Sequence, residues 1–470
     1  MSREVPIIVE LFRRLNAEGI QYAQFKSTLS LAKSFQGKTD FDLLVRKQDA
    51  HQFQRILLEY EAKQRHATFN AVYSGMEDYL LYDAEHEQMH HFHVHYDLLF
   101  GRGYQKNYRF PDLEKVFAEV ETNLEYNIPV VSARFELFLL AMRAILKFDP
   151  ARRVARQFVR GYRLPAGMKA ELDDLLGRVD LGEFQEWLSE AYPDPAPVVL
   201  SFLETYRSSS AIGFLRMVRI TRSLQCSLGR FQRTDHKTAR TFAKMRRYAK
   251  RHEVRWLPSG GKIISVIGAD GAGKSTLVKD LTHWLNYKLS AKTVYLGKAK
   301  GSVGLILLNR VSLILRLFRF LRPARMLGDC QAIVNANSRL RAWKRAKRLT
   351  GNGWIVVIDR YPLREFRDMP FPMDGPRLSA PSFFHDKERS LYNQIDPYPD
   401  ITIVLKVDQE TAVARTKKMT TEAQVQQHRD KIEAIDRLTA EPKSIMKVIN
   451  ASDDYNAVRR QAKKFVWDSL

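Results

Sequence analysis

The stretch VIGADGAGKSTL, residues 266 to 277, has the residue types and spacing that bind phosphate. It fits G-x-x-x-x-G-K-[ST], with Gly268, Gly273, Lys274 and Ser275 in the fixed places and an apolar run, Ile263 to Ile267, leading in. Gly271 and Gly273, with Ala272 between them, allow dihedrals closed to other residues, so consecutive N–H groups through Thr276 can surround one concavity at a helix start. A nucleotide's phosphates fit there. Lys274 is placed to reach the β and γ phosphates of ATP and the Ser275 hydroxyl to enter a Mg²⁺ shell, which leaves phosphoryl transfer to positioning and electrostatics.

A second acid and base cluster follows the strand-like run in GNGWIVVIDRYP, residues 351 to 362. Strand ends in an open parallel sheet face the ligand crevice, so Asp359 and Arg360 are expected to point at the glycine loop. A planar guanidinium also suits a phosphate.

The N-terminal part offers a third group. Asp40 and Asp42 alternate on an expected strand and so share a face, and in HHFHVHYDLLFG, residues 90 to 101, Asp97 shares parity with His91, His93 and His95. Three carboxylates could share divalent cations. Histidines at this spacing would instead suit zinc, and the plainest alternative is a half-buried strand with ordinary surface histidines.

These residues need elements to hold them. The 470-residue length exceeds one ordinary core, and Leu257-Pro-Ser-Gly-Gly-Lys262 reads as a boundary turn. After it, Lys292 to Leu296, Gly353 to Ile358 and Ile401 to Val407 read as buried strands between helical patterns, predicting an α/β fold with a parallel sheet. Before it, residues 20 to 100 mix strands and helices, while 130 to 250 read as mostly helical, including Phe135 to Ile145. The expected domains are 1–125, a helical and basic connecting domain 126–256, and 257–470.

The C-terminal half resembles the thymidylate kinase family of P-loop kinases. GADGAGKST, the Asp359-Arg360-Tyr361 triplet and PDITIVLKVDQETAVAR, from Pro399 to Arg415, occur in that family's order. The resemblance implies ATP and Mg²⁺ as cofactors. It also implies that Asp270 contacts an acceptor sugar hydroxyl, that Asp359 assists magnesium or the acceptor, that Arg360 clamps an acceptor phosphate and that Arg415 opens a lid. PLREFRDMPFPMDGPRLSAP, after the triplet, departs from the thymine-gripping segment, and RTKKMTTEAQVQQHR departs from the compact lid pattern. Thymidylate is therefore expected to be a poor acceptor, and Arg364 and Arg377 are alternative acceptor contacts.

The N-terminal part resembles the polymerase-β type of nucleotidyltransferase, an α+β fold in which a D-x-D follows a small-residue turn. That resemblance implies two metals held by Asp40, Asp42 and Asp97. Lys26-Ser27 stands where the family has Gly-Ser, which implies altered or abolished nucleotide binding.

Charge adds a possible partner. The net charge of +23 lies in residues 201–256 and 297–350, which carry +11 and +12 and leave the rest neutral. Two basic blocks beside a phosphate loop suit a polyanionic surface as well as they suit solvated helix faces. VGLILLNRVSLILRLFRFLR, residues 303 to 322, is too often broken by arginine to span a bilayer. It reads as a helix lying on anionic membrane or packed on the core. Two cysteines, Cys226 and Cys330, and an amphipathic start without a signal-peptide core point to the cytoplasm, with peripheral contact at the inner membrane face. A kinase acting on a small-molecule or glycan-precursor acceptor, in surface-polysaccharide metabolism, is the leading expectation. Nucleic-acid end processing and a nucleotide-gated scaffold are the alternatives.

Overall fold

In the computed structural model the described residues are 6–67, 75–101, 106–150, 161–209, 211–233, 254–269, 271–297, 311, 321–364, 375–378, 380–396, 398–408, 411, 415, 433, 435 and 445–470. Asp270, most of 303–322 and most of the segment after Arg415 lie outside them. The chain forms two compact units, Met1–Glu253 and Val254–Leu470.

The runs Ile355–Ile358 and Ile401–Leu405 are apolar at every position but Thr402 and buried throughout, as strands covered on both sides require. They occupy the interior of the second unit. Its sheet runs Ala291–Tyr295, Ile355–Asp359, Ile263–Gly268, Ile401–Lys406, Ile445–Asn450, and every neighbouring pair is parallel. Helix Lys274–Leu285 buries Leu277, Val278, Leu281 and Leu285, an apolar stripe at helical spacing. The strand Ile263–Gly268 lies between the strand ending in Asp359 and the strand ending in Lys406. The glycine loop therefore leaves the sheet where chain order reverses, the position at which open α/β sheets bind ligands.

The first unit is built on a mixed sheet containing Lys63–Ala67, Met76–Asp83, Gln88–His95, Phe41–Val45, Tyr22–Gln24, Ile128–Val131 and Val120–Asn123, in that spatial order. One face packs Phe41, Leu43, Val45, Phe92 and Val94 against helices Ile7–Ala17 and Ala50–Glu59. The other packs Ala23, Phe25 and Leu44 against helices drawn from Ala133–Lys147 to Phe214–Ser227. A boundary at 125/126, expected from the change in periodicity, thus runs through a continuous core. The reason is physical: the sheet's second apolar face needs those helices to cover it.

Candidate active site

The glycine loop has the backbone its sequence calls for. A Cβ on Gly268 would meet the Leu405 carbonyl oxygen at 2.7 Å, so the loop can leave the sheet this close to the neighbouring strand only with glycine there. Gly271 and Gly273 have φ of +87° and +84°, and Gly273 is the N-cap of helix Lys274–Leu285. No side chain caps that helix, which leaves its positive dipole end available to an anion. Buried Ala272 donates its N–H to the Ala269 carbonyl, and Thr276 donates to the Gly273 carbonyl at 3.1 Å.

The side chains meet under the loop. The Lys274 ammonium donates to the Ala269 carbonyl at 2.7 Å, folded back on the loop it serves. Ser275 Oγ donates to Asp359 Oδ2 at 2.8 Å, joining the helix start to the end of the adjacent strand. Asp359 is 6% exposed, and its Oδ1 has no hydrogen-bond partner. A buried carboxylate oxygen left open beside a serine hydroxyl is chemically suited to a hard divalent cation, which takes oxygen ligands.

After Asp359 the chain turns at Arg360, whose φ of +68° is rare for a residue with a side chain. The turn sends Tyr361 into the core, where its hydroxyl donates to the Asp396 carbonyl at 3.0 Å. Arg415 Nη1 donates to the Ala451 carbonyl at 2.7 Å. Beside the loop lies a cavity of about 370 Å³ lined by Ala269, Lys406, Val407, Asp408, Asn450 and Ser452, among others. Asp408 accepts from Thr411 N and Oγ1 and from Ser452 Oγ, and these bonds hold its carboxyl low, at about 2. Sequence reasoning overlooked Asp408; its signal was an acid just past a strand end, three residues before Thr411. Arg364 and Arg377 are exposed, and the backbone N–H of Arg377 donates to the buried Glu388 carboxylate.

In the first unit the expected acids separate. Asp42, on strand Phe41–Val45, is 2.6 Å from the Lys26 ammonium, so a cation already stands where a metal was expected. Asp40 Oδ1 lies 3.1 Å from His91 Nδ1, without hydrogen-bond alignment. Asp97 does not join them. It lies beyond the end of strand Gln88–His95, paired with Lys47 at 2.8 Å and Arg109 at 3.5 Å. Among the described residues, the groups with ligand atoms near enough to share an ion are Asp42, His93 and His95, and Asp78, His91 and His93. Equal parity puts residues on one face, but Asp97 is four residues past His93, which stands opposite Asp42 in the parallel register. At about 3.3 Å per residue that is roughly 13 Å along the strand.

Asp78 is the acid that parity should have found. It lies directly opposite His93 and accepts from His91 and His93 at 2.8 Å, while Arg65 pairs with its other oxygen. Burial opposes ionisation, but the two histidines and Arg65 outweigh it and hold Asp78 well below the ordinary carboxylate range. Among the described residues no helix is long and apolar enough to cross a membrane.

Two Escherichia coli K12 proteins are similar in sequence. YghR, an uncharacterized ATP-binding protein, is 30% identical over 224 residues, covering 43% of this chain and 86% of the relative. YghS, carrying the same description, is 30% identical over 174 residues, covering 33% and 73%. No protein-family profile matches the sequence. A solved deoxyadenosine kinase from M. mycoides with bound dATP aligns with 44% of this chain and 98% of its own, at 15% identity and a TM-score of 0.30, too slight a likeness to carry any argument.

Proposed function

The chain belongs to the family of the ATP-binding proteins YghR and YghS, and from that premise we propose that Val254–Leu470 is an ATP- and Mg²⁺-dependent kinase of the P-loop class. It passes a γ-phosphoryl group to a hydroxyl or phosphate of a small acceptor, a nucleotide, sugar or glycan precursor. The observation that carries this reading is the Ser275–Asp359 pair, with Asp359 Oδ1 left open beside the glycine loop. Those two residues fit Mg²⁺, and the ion when bound supplies charge neutralisation across the β and γ phosphates.

The chain's own groups do the remainder. Backbone N–H groups of Gly271, Gly273, Lys274 and Ser275 cradle the phosphates. Lys274 exchanges the Ala269 carbonyl for phosphate oxygens. The cavity at Asp408, Asn450 and Ser452 holds the base end of the nucleotide. Arg360 and Arg415 face the acceptor and the transferring group, and Asp270 contacts the acceptor, as the thymidylate kinase resemblance implies. Transfer then rests on alignment and charge.

The first unit reads best as a nucleotidyltransferase-like domain that has lost its catalytic metal, because Lys26 already neutralises Asp42 and Asp97 lies elsewhere.

The test is ATP consumption by the full chain over nucleoside monophosphates, sugars, sugar phosphates and oligonucleotides. An acceptor other than thymidylate is expected to drive turnover. Lys274→Ala is expected to lower turnover by at least ~10²-fold with an unchanged circular dichroism spectrum, since the lysine touches phosphate and not the core. Undiminished turnover in a folded Lys274→Ala protein would overturn the kinase assignment.

A further inference from the structure

The first unit contains a cavity unrelated to the glycine loop. It measures about 190 Å³, and its lining includes Lys26, His95, Lys106, Leu139, Arg143 and Lys147. Four of those side chains are cationic. Pockets for whole small molecules usually occupy ~300–1,000 Å³, so this one suits a compact charged group.

The sequence did not have to place cations there. Helix Ala133–Lys147 is buried at most of its positions and apolar on nearly every face. Arg143 and Lys147 are four residues apart, and with Leu139 they form one stripe directed at the cavity. Among the described residues neither makes an ion pair. Partial burial, then Arg143 and Lys26, lowers the ammonium of Lys147, a residue still largely open to solvent, below its ordinary value. Burial, then Lys26, pulls Lys106 down to about 7. The carboxylates that act on these cations already have partners: Asp42 pairs with Lys26, Asp78 with Arg65, His91 and His93, and Glu171 accepts from Ser27.

His95 supplies an independent sign. It is 1% exposed, it lines the cavity, and neither ring nitrogen has a hydrogen-bond partner. Buried polar atoms nearly always find one, and here the open space they adjoin is the cavity.

We infer that this cavity binds a phosphate oxyanion, free or as the terminal group of a small phosphate ester, between Lys26, Lys106, Arg143 and Lys147, with His95 donating from the inner wall. A doubly charged tetrahedral group has enough oxygens to meet several donors at once. A carboxylate has two oxygens and one charge and would leave most of these cations uncompensated. The site is separate from the proposed kinase chemistry and does not depend on it.

The test uses the full chain carrying Lys274→Ala, which weakens phosphate binding at the glycine loop. Inorganic phosphate is titrated calorimetrically, with chloride at equal ionic strength as the control. Saturable binding is expected for phosphate and not chloride, and adding Arg143→Met with Lys147→Met is expected to weaken it at least ~10-fold while the circular dichroism spectrum is kept. If the double change impairs folding, Lys147→Gln alone, at an exposed position, must weaken binding measurably. Displacement of phosphate by glycerol 3-phosphate supports an ester ligand, and its failure supports free phosphate. No saturable phosphate binding to the Lys274→Ala protein, or binding indifferent to Arg143 and Lys147, overturns the inference.

Discussion

Lys106 shows how far an individual side chain departs from what its letter suggests. In the sequence it is one lysine in a loop; in the fold it is held near Lys26, Arg143, Asp42, Asp78 and His95 and folded over the Met76 sulfur. Burial first, and Lys26 second, lower its folded value to about 7 from 10.5. The unfolded chain then binds more protons than the folded one between those limits. Stability from this group therefore rises as pH increases from about 7 to about 10.5 and changes no further below 7. Lys106→Met is expected to raise the melting temperature of the first unit at pH 7 and to flatten its pH dependence over that interval, as thermal scans across pH would register. The glycine-loop residues were legible at this scale because a motif fixes their order along the chain. Asp78 and Lys106 were not, because their partners come from other strands and loops.

At the level of elements, the loop between strand Ile263–Gly268 and helix Lys274–Leu285 was readable because its dihedral demands fall on glycine. The tight contact at Gly268 was not readable, since Leu405 belongs to a strand more than a hundred residues later. Gly268→Ala forces a Cβ against backbone, which cannot rotate away. It is expected to destabilise the second unit by about 1–3 kcal/mol in denaturant titration and to weaken nucleotide binding with it, because the loop must move off the strand. Strand parity in the first unit was also readable: it put Asp40 with Asp42, and His91, His93 and His95 with Asp97, while only the register sets Asp42 opposite His93. Distance along a strand is a separate quantity, and neglecting it drew Asp97 into the wrong group.

For the whole molecule, length and alternation were enough to anticipate an α/β part with a parallel sheet, while the division of labour among cores was not. The helices between Ala133 and Ser227 looked like a connecting domain, yet they cover one face of the N-terminal sheet. The charge pattern still asks for a partner, and most of 303–322 lies outside the described residues. We propose peripheral contact with anionic membrane through that segment. Sedimentation with phosphatidylserine vesicles but not with phosphatidylcholine vesicles is expected. Oligonucleotide binding with a steep salt slope in place of vesicle binding would favour nucleic acid instead. The two units also build separate cores, one on the mixed sheet and one on the parallel sheet. A single melting temperature is then not a well-defined property of this chain. Heating it poses two questions, and a ligand that binds one folded unit answers only one of them, so a stabiliser screen reading a lone averaged midpoint would credit or dismiss compounds according to which half of the protein happened to melt first.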